Sequence, residues 1–480
     1  MIRYRLKDVL AGTRGELRGE VRSDLAFPRY ERDSRKIQPG DLYIAIKGEV
    51  HDGNDFTSAA IANGAAAALV NRTWADANPE IETPLIVVDD TTVALQEWAR
   101  WRRDRLDLTV LGVTGSIGKT SAKEAIAAVL GQIWRVYKSP GSYNNEIGLP
   151  YSLLEAPEDT QMMVLEMGGA YAFGELTLLA SIAQPQVGVV TNVQNVHLER
   201  MGSIEAIAET KAELVRALPP EGMAILNGDD PRVRAMAEST RARVVFFGLG
   251  EDNHIRAENV QSEGLRGMTF WLTVDDQRYF VKVPFYGMPG LHISLVALAV
   301  GHSLGMHISD MLQGLQDPQV QVRLATLPGP NGSELIDDTY NASTQSVLAG
   351  LALLEDIQPT RRIAVLGDMR ELGVITESEH RVIGRRAGAL LDVLITYGDL
   401  ARIIAEEAAT SSAKSGRHLT IESWSEGAEA KRQVATYLRG MLKPGDVVLL
   451  KGSRGLRMED IVAQLRSDVT QVVNANKAEA

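Results

Sequence analysis

The sequence predicts an α/β protein of three domains, and three observations predict it. The chain has 480 residues, more than one hydrophobic core organises, so two or three domains are expected. Short apolar runs alternate with helical stretches through most of that length, the rhythm of parallel sheets covered on both faces. Shortly after the first hundred residues, a glycine-rich turn joins one such strand to a helix.

The first region, 1–105, shows short strands at 42–46 and 85–88, punctuated by Gly40, Gly48 and Gly53. A charged amphipathic helix over 92–105 runs into a linker at 100–107. The second region, 106–322, opens with a strand over 108–113, the glycine turn, and a helix over 119–130. Further strands are expected at 162–165, 187–190, 223–226 and 244–247. Alternation around 267–286 predicts an antiparallel edge. In the third region, 323–480, strands at 334–336, 363–366, 393–397 and 447–450 again alternate with helices. This is a second parallel unit, Rossmann-like, without a phosphate loop of its own. The expected architecture is therefore a central phosphate-loop parallel sheet, flanked by a small α/β N-terminal domain and the Rossmann-like C-terminal one.

Composition is that of an ordinary soluble protein, 45% hydrophobic and 23% charged. A net charge of -12 and a pI near 5.3 argue against nucleic acid or an anionic membrane as partner. Local cationic sites for a phosphate ligand remain compatible with that total. The absence of cysteine removes disulfides, thiolate metal sites and cysteine nucleophiles, and suits a reducing compartment. Residues 1–21 are charged throughout and lack the apolar run of a signal peptide. The most apolar stretches, 59–70 and 295–300, are interrupted or too short to span a bilayer. A cytoplasmic protein without stable membrane insertion is expected.

The turn Thr114-Gly115-Ser116-Ile117-Gly118-Lys119-Thr120 has a mechanical meaning. Glycines let backbone N–H groups approach phosphate oxygens, and the helix N-terminus adds partial positive charge. Lys119 can reach the outer phosphates, and the Thr120 hydroxyl can join a magnesium shell. The strict pattern wants a glycine where Val113 stands; Gly112 lies one residue further back, so the loop from Gly112 to Thr120 is a variant. A magnesium ion needs hard donors or a histidine near neighbouring strand ends. Glu166, ending one strand, and His197, beyond another, occupy such positions.

These segments resemble the Mur ligase family, ATP-dependent amide-bond ligases of peptidoglycan precursor synthesis. The resemblance covers nearly the whole chain. The glycine turn is similar to the family's ATP loop, and Asn144-Asn145-Glu146-Ile147-Gly148 to its asparagine motif near the muramoyl substrate. Glu166-Met167-Gly168 resembles the magnesium-binding strand end, and Thr191-Asn192-Val193 with His197 the second-metal segment. Lys211, in Glu209-Thr210-Lys211-Ala212-Glu213, matches a lysine that the family carries as a carbamate. In the third region the family's blocks are matched by Asp337-Asp338-Thr339-Tyr340-Asn341-Ala342, by Gly367-Asp368-Met369-Arg370 and by Lys451-Gly452-Ser453-Arg454. In the first, Asp33-Ser34-Arg35 and Lys47-Gly48 resemble its uridine-nucleotide segments.

The resemblance implies a reaction in which ATP activates the carboxylate of a UDP-N-acetylmuramoyl-tripeptide as an acyl phosphate, and the amine of D-alanyl-D-alanine attacks it. Lys119, His197 and Lys211 are the implied catalytic residues. ATP contacts would come from Thr114 to Thr120, Arg323, Asp338 and Asn341. Magnesium would be held by Thr120, Glu166, His197 and carbamylated Lys211. Ser34, Arg35, Lys47, Asn144, Asn145, Ser453 and Arg454 would contact substrate. A monomer serving cell-wall biogenesis, and through it cell shape and division, is expected. The chain departs from the family where Ile293 and Val296 follow His292 at positions usually held by asparagines. Alternatives within the same chemistry are the ligase adding the third amino acid or a folate polyglutamate ligase. A nucleotide-driven switch without ligation is the alternative of a different class, and the separate third region argues against it.

Overall fold

The computed structural model describes residues 4–22, 24–48, 50–169, 172–196, 198–317 and 325–466. Three larger sheets follow one another along the chain. The first has five strands in the order Glu16–Arg18, Leu85–Val88, Ala67–Asn71, Leu42–Ile44 and Tyr30–Glu31, parallel except for the Glu16–Arg18 edge. A short antiparallel pair, Tyr4–Arg5 with Ala26–Phe27, lies beside it.

The central sheet has nine strands, with Thr109–Thr114 between Met162–Glu166 and Val187–Val190. From Thr109–Thr114 the chain goes to the edge strand Val136–Lys138, returns to Met162–Glu166 between the two, then crosses to Val187–Val190 on the other side. The C-terminal end of Thr109–Thr114 is therefore a topological switch point, where open α/β sheets bind ligands. Apolar runs fill these strands because helices cover both faces, leaving Met162–Glu166 and Val187–Val190 buried throughout. The expected antiparallel edge is present as Met268–Val274 and Gln277–Val283. The third sheet pairs Ala325–Pro328 antiparallel to Glu334–Asp338 and continues in parallel through Val447–Lys451, Arg362–Gly367, Val393–Tyr397 and Thr420–Trp424.

The expected linker at 100–107 is instead part of a packed joint. The helix Thr91–Arg103 ends there, and Arg102 donates to the carbonyls of Leu153 at 3.3 Å and Ala156 at 2.6 Å. Buried Arg103 donates to the carbonyl of Ala183 at 3.0 Å. Arginine stems cover apolar surface while their heads satisfy helix-end carbonyls, so an arginine-rich run need not be a solvated one. Trp98 on the same helix meets Tyr4 and Tyr30, each at 5.6 Å between ring centres, and Tyr30 meets Tyr151 at 5.1 Å. One apolar cluster thus runs from the first sheet into the helices Gly148–Glu155 and Glu175–Ala183 of the central one. Among the described residues no helix is long and apolar enough to cross a membrane.

Truncating the buried centre of this joint, Trp98→Ala, is expected to cost about 3–5 kcal/mol in urea unfolding. Val93→Ala, on the exposed face of the same helix, should stay within about 0.5 kcal/mol. Equal effects would show that the joint is not a shared core.

Candidate active site

The glycine turn is shaped by its neighbour strand. Gly115 has φ +142°, and a Cβ there would lie 2.0 Å from Oγ1 of Thr191, so no side chain fits. Gly118, at φ +84°, starts the helix Lys119–Leu130, and no side chain caps that end. Gly112 lies inside the strand Thr109–Thr114 with the Met167 sulfur against it, so its smallness serves packing rather than the loop. The loop proper therefore begins at Thr114.

Asn192 closes the turn. Its Oδ1 accepts from the Ile117 N–H at 2.9 Å, its Nδ2 donates to the Ile117 carbonyl at 2.9 Å, and its carbonyl accepts from the Ser116 N–H at 2.9 Å. Thr191 Oγ1 donates to the Ile117 carbonyl at 2.8 Å. Lys119 folds back over the turn, donating to the carbonyls of Gly115 at 2.7 Å and Ser116 at 3.2 Å. The result is a closed turn with a lysine folded over it at an uncapped helix N-terminus, a position that favours phosphate.

Glu166 lies beside it. The parallel register sets Glu166 opposite Val113, one residue before the turn. Its side chain is only 2% exposed and accepts from Thr120 Oγ1 at 2.6 Å and from Asn144 Nδ2 at 2.7 Å. Its N–H donates to Ser139 Oγ at 3.1 Å. The structure thus brings together the two sequence-nominated ligands Thr120 and Glu166. A carboxylate and a hydroxyl are hard donors of the kind magnesium takes, with phosphates and water completing its shell, so this pair fits the ion. Asn144, expected at the muramoyl substrate, has its amide on Glu166. Asn145 is exposed, and its Oδ1 accepts from the Gly148 N–H at 2.8 Å.

Lys211, on the helix Ile204–Arg216, is 4% exposed and donates to the carbonyl of Gly169, two residues beyond the Glu166-Met167 strand end. Burial, with the Lys119 charge adding to it, pulls its ammonium down to about 7, against the opposing pull of Glu175 and Glu213. Glu213 is itself occupied by the N–H groups of Gly174 and Thr177, each at 2.8 Å. His197 and Arg323 lie outside the described residues. Among the described residues no group of three or more acidic or histidine side chains forms a ready metal cluster.

The third region meets this site through Tyr340, whose hydroxyl lies 2.6 Å from Ser142 Oγ. Arg454 donates to the same hydroxyl at 3.1 Å. Buried Lys451 bridges Asp338, at 2.6 Å, and the carbonyl of Asn341, at 2.9 Å, which sets the backbone of that block. Ser453 is buried and ties two loops, accepting from the Arg370 N–H at 2.9 Å and donating its own N–H to the Asp368 carbonyl at 3.0 Å. In the first region Arg35 is 87% exposed and paired with Asp33 at 2.8 Å, Ser34 offers its carbonyl to Asn63 at 2.9 Å, and Lys47 is exposed.

Ile293 and Val296, 7% and 1% exposed, belong to the apolar core of the central sheet. These side chains pack inward, and nucleotide contacts do not come from them. His292 instead approaches Asp229 at 3.8 Å. Burial alone would raise the Asp229 carboxyl, but His292, the N–H groups of Gly250 and Leu249, and the Asn253 amide hold it well below the usual carboxylate range. Sequence reasoning missed Asp229, Ser142, the loop-closing role of Asn192, and Lys123. Lys123 is fully buried one helical turn after Lys119 and donates to the carbonyls of Ser139 and Gly141, both at 2.7 Å. Its place on the inward side of the helix was the available signal.

Three family descriptions match the chain in order: Mur ligase family, catalytic domain, over 30–103; Mur ligase middle domain over 113–301; and Mur ligase, glutamate ligase domain, over 322–454. The UDP-N-acetylmuramoyl-tripeptide–D-alanyl-D-alanine ligase of Bacillus subtilis strain 168 is 36% identical, covering 93% of this chain and 96% of that protein. The ligase of the same name from Escherichia coli K12 is 31% identical, covering 97% and 98%. Among solved structures, MurF from Acinetobacter baumannii superposes with a TM-score of 0.85 at 28% identity, covering 97% of this chain and 99% of that one. The MurF ligase of Thermotoga maritima in complex with ADP gives 0.79 at 29% identity, covering 92% and 98%.

Gly115→Ala is expected to weaken nucleotide binding at least about tenfold, equivalent to ~1.4 kcal/mol, in a titration with ADP. Wild-type affinity in a folded variant would show that the clash with Thr191 does not shape the loop.

Proposed function

The chain belongs to the Mur ligase family and is an ATP-dependent peptide ligase; on that premise we propose the reaction and the roles of its residues. The reaction joins D-alanyl-D-alanine to UDP-N-acetylmuramoyl-tripeptide, giving the UDP-muramoyl-pentapeptide of peptidoglycan synthesis, ADP and phosphate. The observation that carries the site is the Thr120–Glu166 hydrogen bond directly beside the Lys119 turn.

The tripeptide's terminal carboxylate attacks the γ-phosphorus of ATP, the bond to the bridging oxygen breaks, and ADP leaves an acyl phosphate. The dipeptide amine then attacks the acyl carbon, loses a proton, and phosphate departs. Two anions meet in the first step, so charge neutralisation and orientation are the central tasks. The uncapped start of the helix Lys119–Leu130 holds the phosphates, and Lys119 swings from the loop carbonyls onto the β/γ oxygens. Thr120 and Glu166 would hold one magnesium, and His197 with the carbamate of Lys211 a second; bound magnesium supplies further neutralisation. Near pH 7 about half of an amine with a pKa of about 7 is uncharged, against less than about one part in a thousand for an ordinary lysine. Only the uncharged amine adds to carbon dioxide, so burial prepares Lys211 for carbamylation and replaces an ammonium by an anionic oxygen donor.

Residues 1–105 would bind the uridine nucleotide through Ser34, Arg35 and Lys47, 106–322 ATP and magnesium, and 323–480 the dipeptide and part of the nucleotide through Asp338, Asn341, Ser453, Arg454 and Arg323. The enzyme acts as a cytoplasmic monomer. Its product feeds the cell wall and thereby cell shape and division.

Phosphate release should require magnesium, UDP-muramoyl-tripeptide and D-alanyl-D-alanine together, and Lys119→Ala should lower it by about 10²-fold or more. ATP turnover unchanged without both acceptors would sink the ligase reading. Lys211→Ala should be inactive at ambient bicarbonate and partly rescued by short carboxylates. In the wild type, activity at limiting bicarbonate should rise as pH passes upward through about 7, where Lys211 loses its proton. A fully active Lys211→Ala excludes the carbamate.

A further inference from the structure

The segment 139–144 reaches both halves of the site. On the central side it grips Glu166 twice: Ser139 Oγ accepts the Glu166 N–H at 3.1 Å, and Asn144 Nδ2 donates to Glu166 Oε1 at 2.7 Å. The Asn144 carbonyl also accepts the Gly168 N–H at 2.7 Å. Between these anchors Lys123 holds the carbonyls of Ser139 and Gly141, both at 2.7 Å. On the far side Ser142 meets the Tyr340 hydroxyl at 2.6 Å. Arg454 donates to that hydroxyl at 3.1 Å, with its guanidinium 5.1 Å from the centre of the Tyr340 ring. A phenol that accepts from an arginine has its own proton to offer, and Ser142 Oγ is placed to take it.

We propose that Ser142 and Tyr340 are positioning residues that couple the seating of the C-terminal region to the orientation of the Glu166 carboxylate. The inference rests on the reading of Glu166 as part of the phosphate site. Because Glu166 is held at its backbone by one end of the segment and at its carboxylate by the other, a displacement of Ser142 is felt at both. Partly buried hydrogen bonds in series transmit such a displacement better than solvated ones. With the C-terminal region seated, Glu166 stays turned toward Thr120. With it unseated, the carboxylate loses its Asn144 support and phosphoryl transfer slows. The contact therefore makes ATP chemistry depend on the half of the site that the amino substrate approaches, which limits idle hydrolysis.

The test uses the full chain with Tyr340→Phe, Ser142→Ala and the double variant. Without ligands, amide hydrogen exchange at Glu166 and Gly168 should be at least about fivefold faster in each variant than in the wild type. In the ligase assay each single variant should lower kcat by about 5–50-fold while the KM for UDP-tripeptide changes less than about twofold. The double variant should be no worse than the poorer single one, because both cut the same link. Exchange at Glu166 and Gly168 equal to wild type, or single effects that multiply, overturns the coupling. Should Tyr340→Phe fail to fold, Ser142→Ala alone carries the exchange measurement. Glu166→Gln separates the two claims. Full activity in that variant removes both the site reading and the coupling, whereas an inactive Glu166→Gln with unchanged exchange in Tyr340→Phe removes the coupling alone.

Discussion

A carboxylate buried at the end of a parallel strand governs this site. Leaving water is costly for Glu166, and the loss is offset by hydrogen bonds from Thr120 and Asn144. Each donor is itself part of a shaped segment. Thr120 stands in the first turn of the helix that follows the glycine turn, and Asn144 ends a segment fastened by Lys123. To place one carboxylate the fold must therefore place the phosphate loop, the helix and the 139–144 segment together. The switch-point topology achieves this, because the strands flanking Thr109–Thr114 bring Glu166 and Thr191 to the level of the turn.

The three regions are joined by different kinds of contact. The first and central regions share one apolar cluster, with Trp98, Tyr30 and Tyr151 across the joint. The third sheet has its own apolar clusters on either face, to which the central region contributes Tyr286 at the margin. Its link to the active site is polar, through Ser142, Tyr340 and Arg454. An apolar joint favours a fixed relation, while a small polar one can open and close without exposing a large core. Such closure would shield an acyl phosphate from water.

Most strands were legible because a strand buried on both faces needs a continuous run of apolar, often β-branched residues, and those runs stand out between glycine and polar turns. The Arg100 to Asp107 run misled for a converse reason. Arginine looks solvated in a sequence, yet Arg102 and Arg103 find helix-end carbonyls only once the neighbouring helices are docked. The asparagine motif signals a functional segment but not which atom the Asn144 amide meets, which is the Glu166 carboxylate. The departure at Ile293 and Val296 was visible in the sequence, but its meaning needed the packing, which shows both side chains inside the core.

By itself the sequence determined the α/β class, the phosphate loop and the nomination of Thr120, Glu166 and Lys211, since each depends on local pattern or on motif resemblance. Tertiary structure decided what those residues do to one another. The loop is closed by Asn192 from beyond the end of another strand, Glu166 is oriented by Asn144, and Lys211 is moved toward neutrality by burial beside Lys119. These effects depend on distance and on exclusion of water between residues remote in the chain. No window of sequence carries either quantity, because both are set only when the sheets and their covering helices pack.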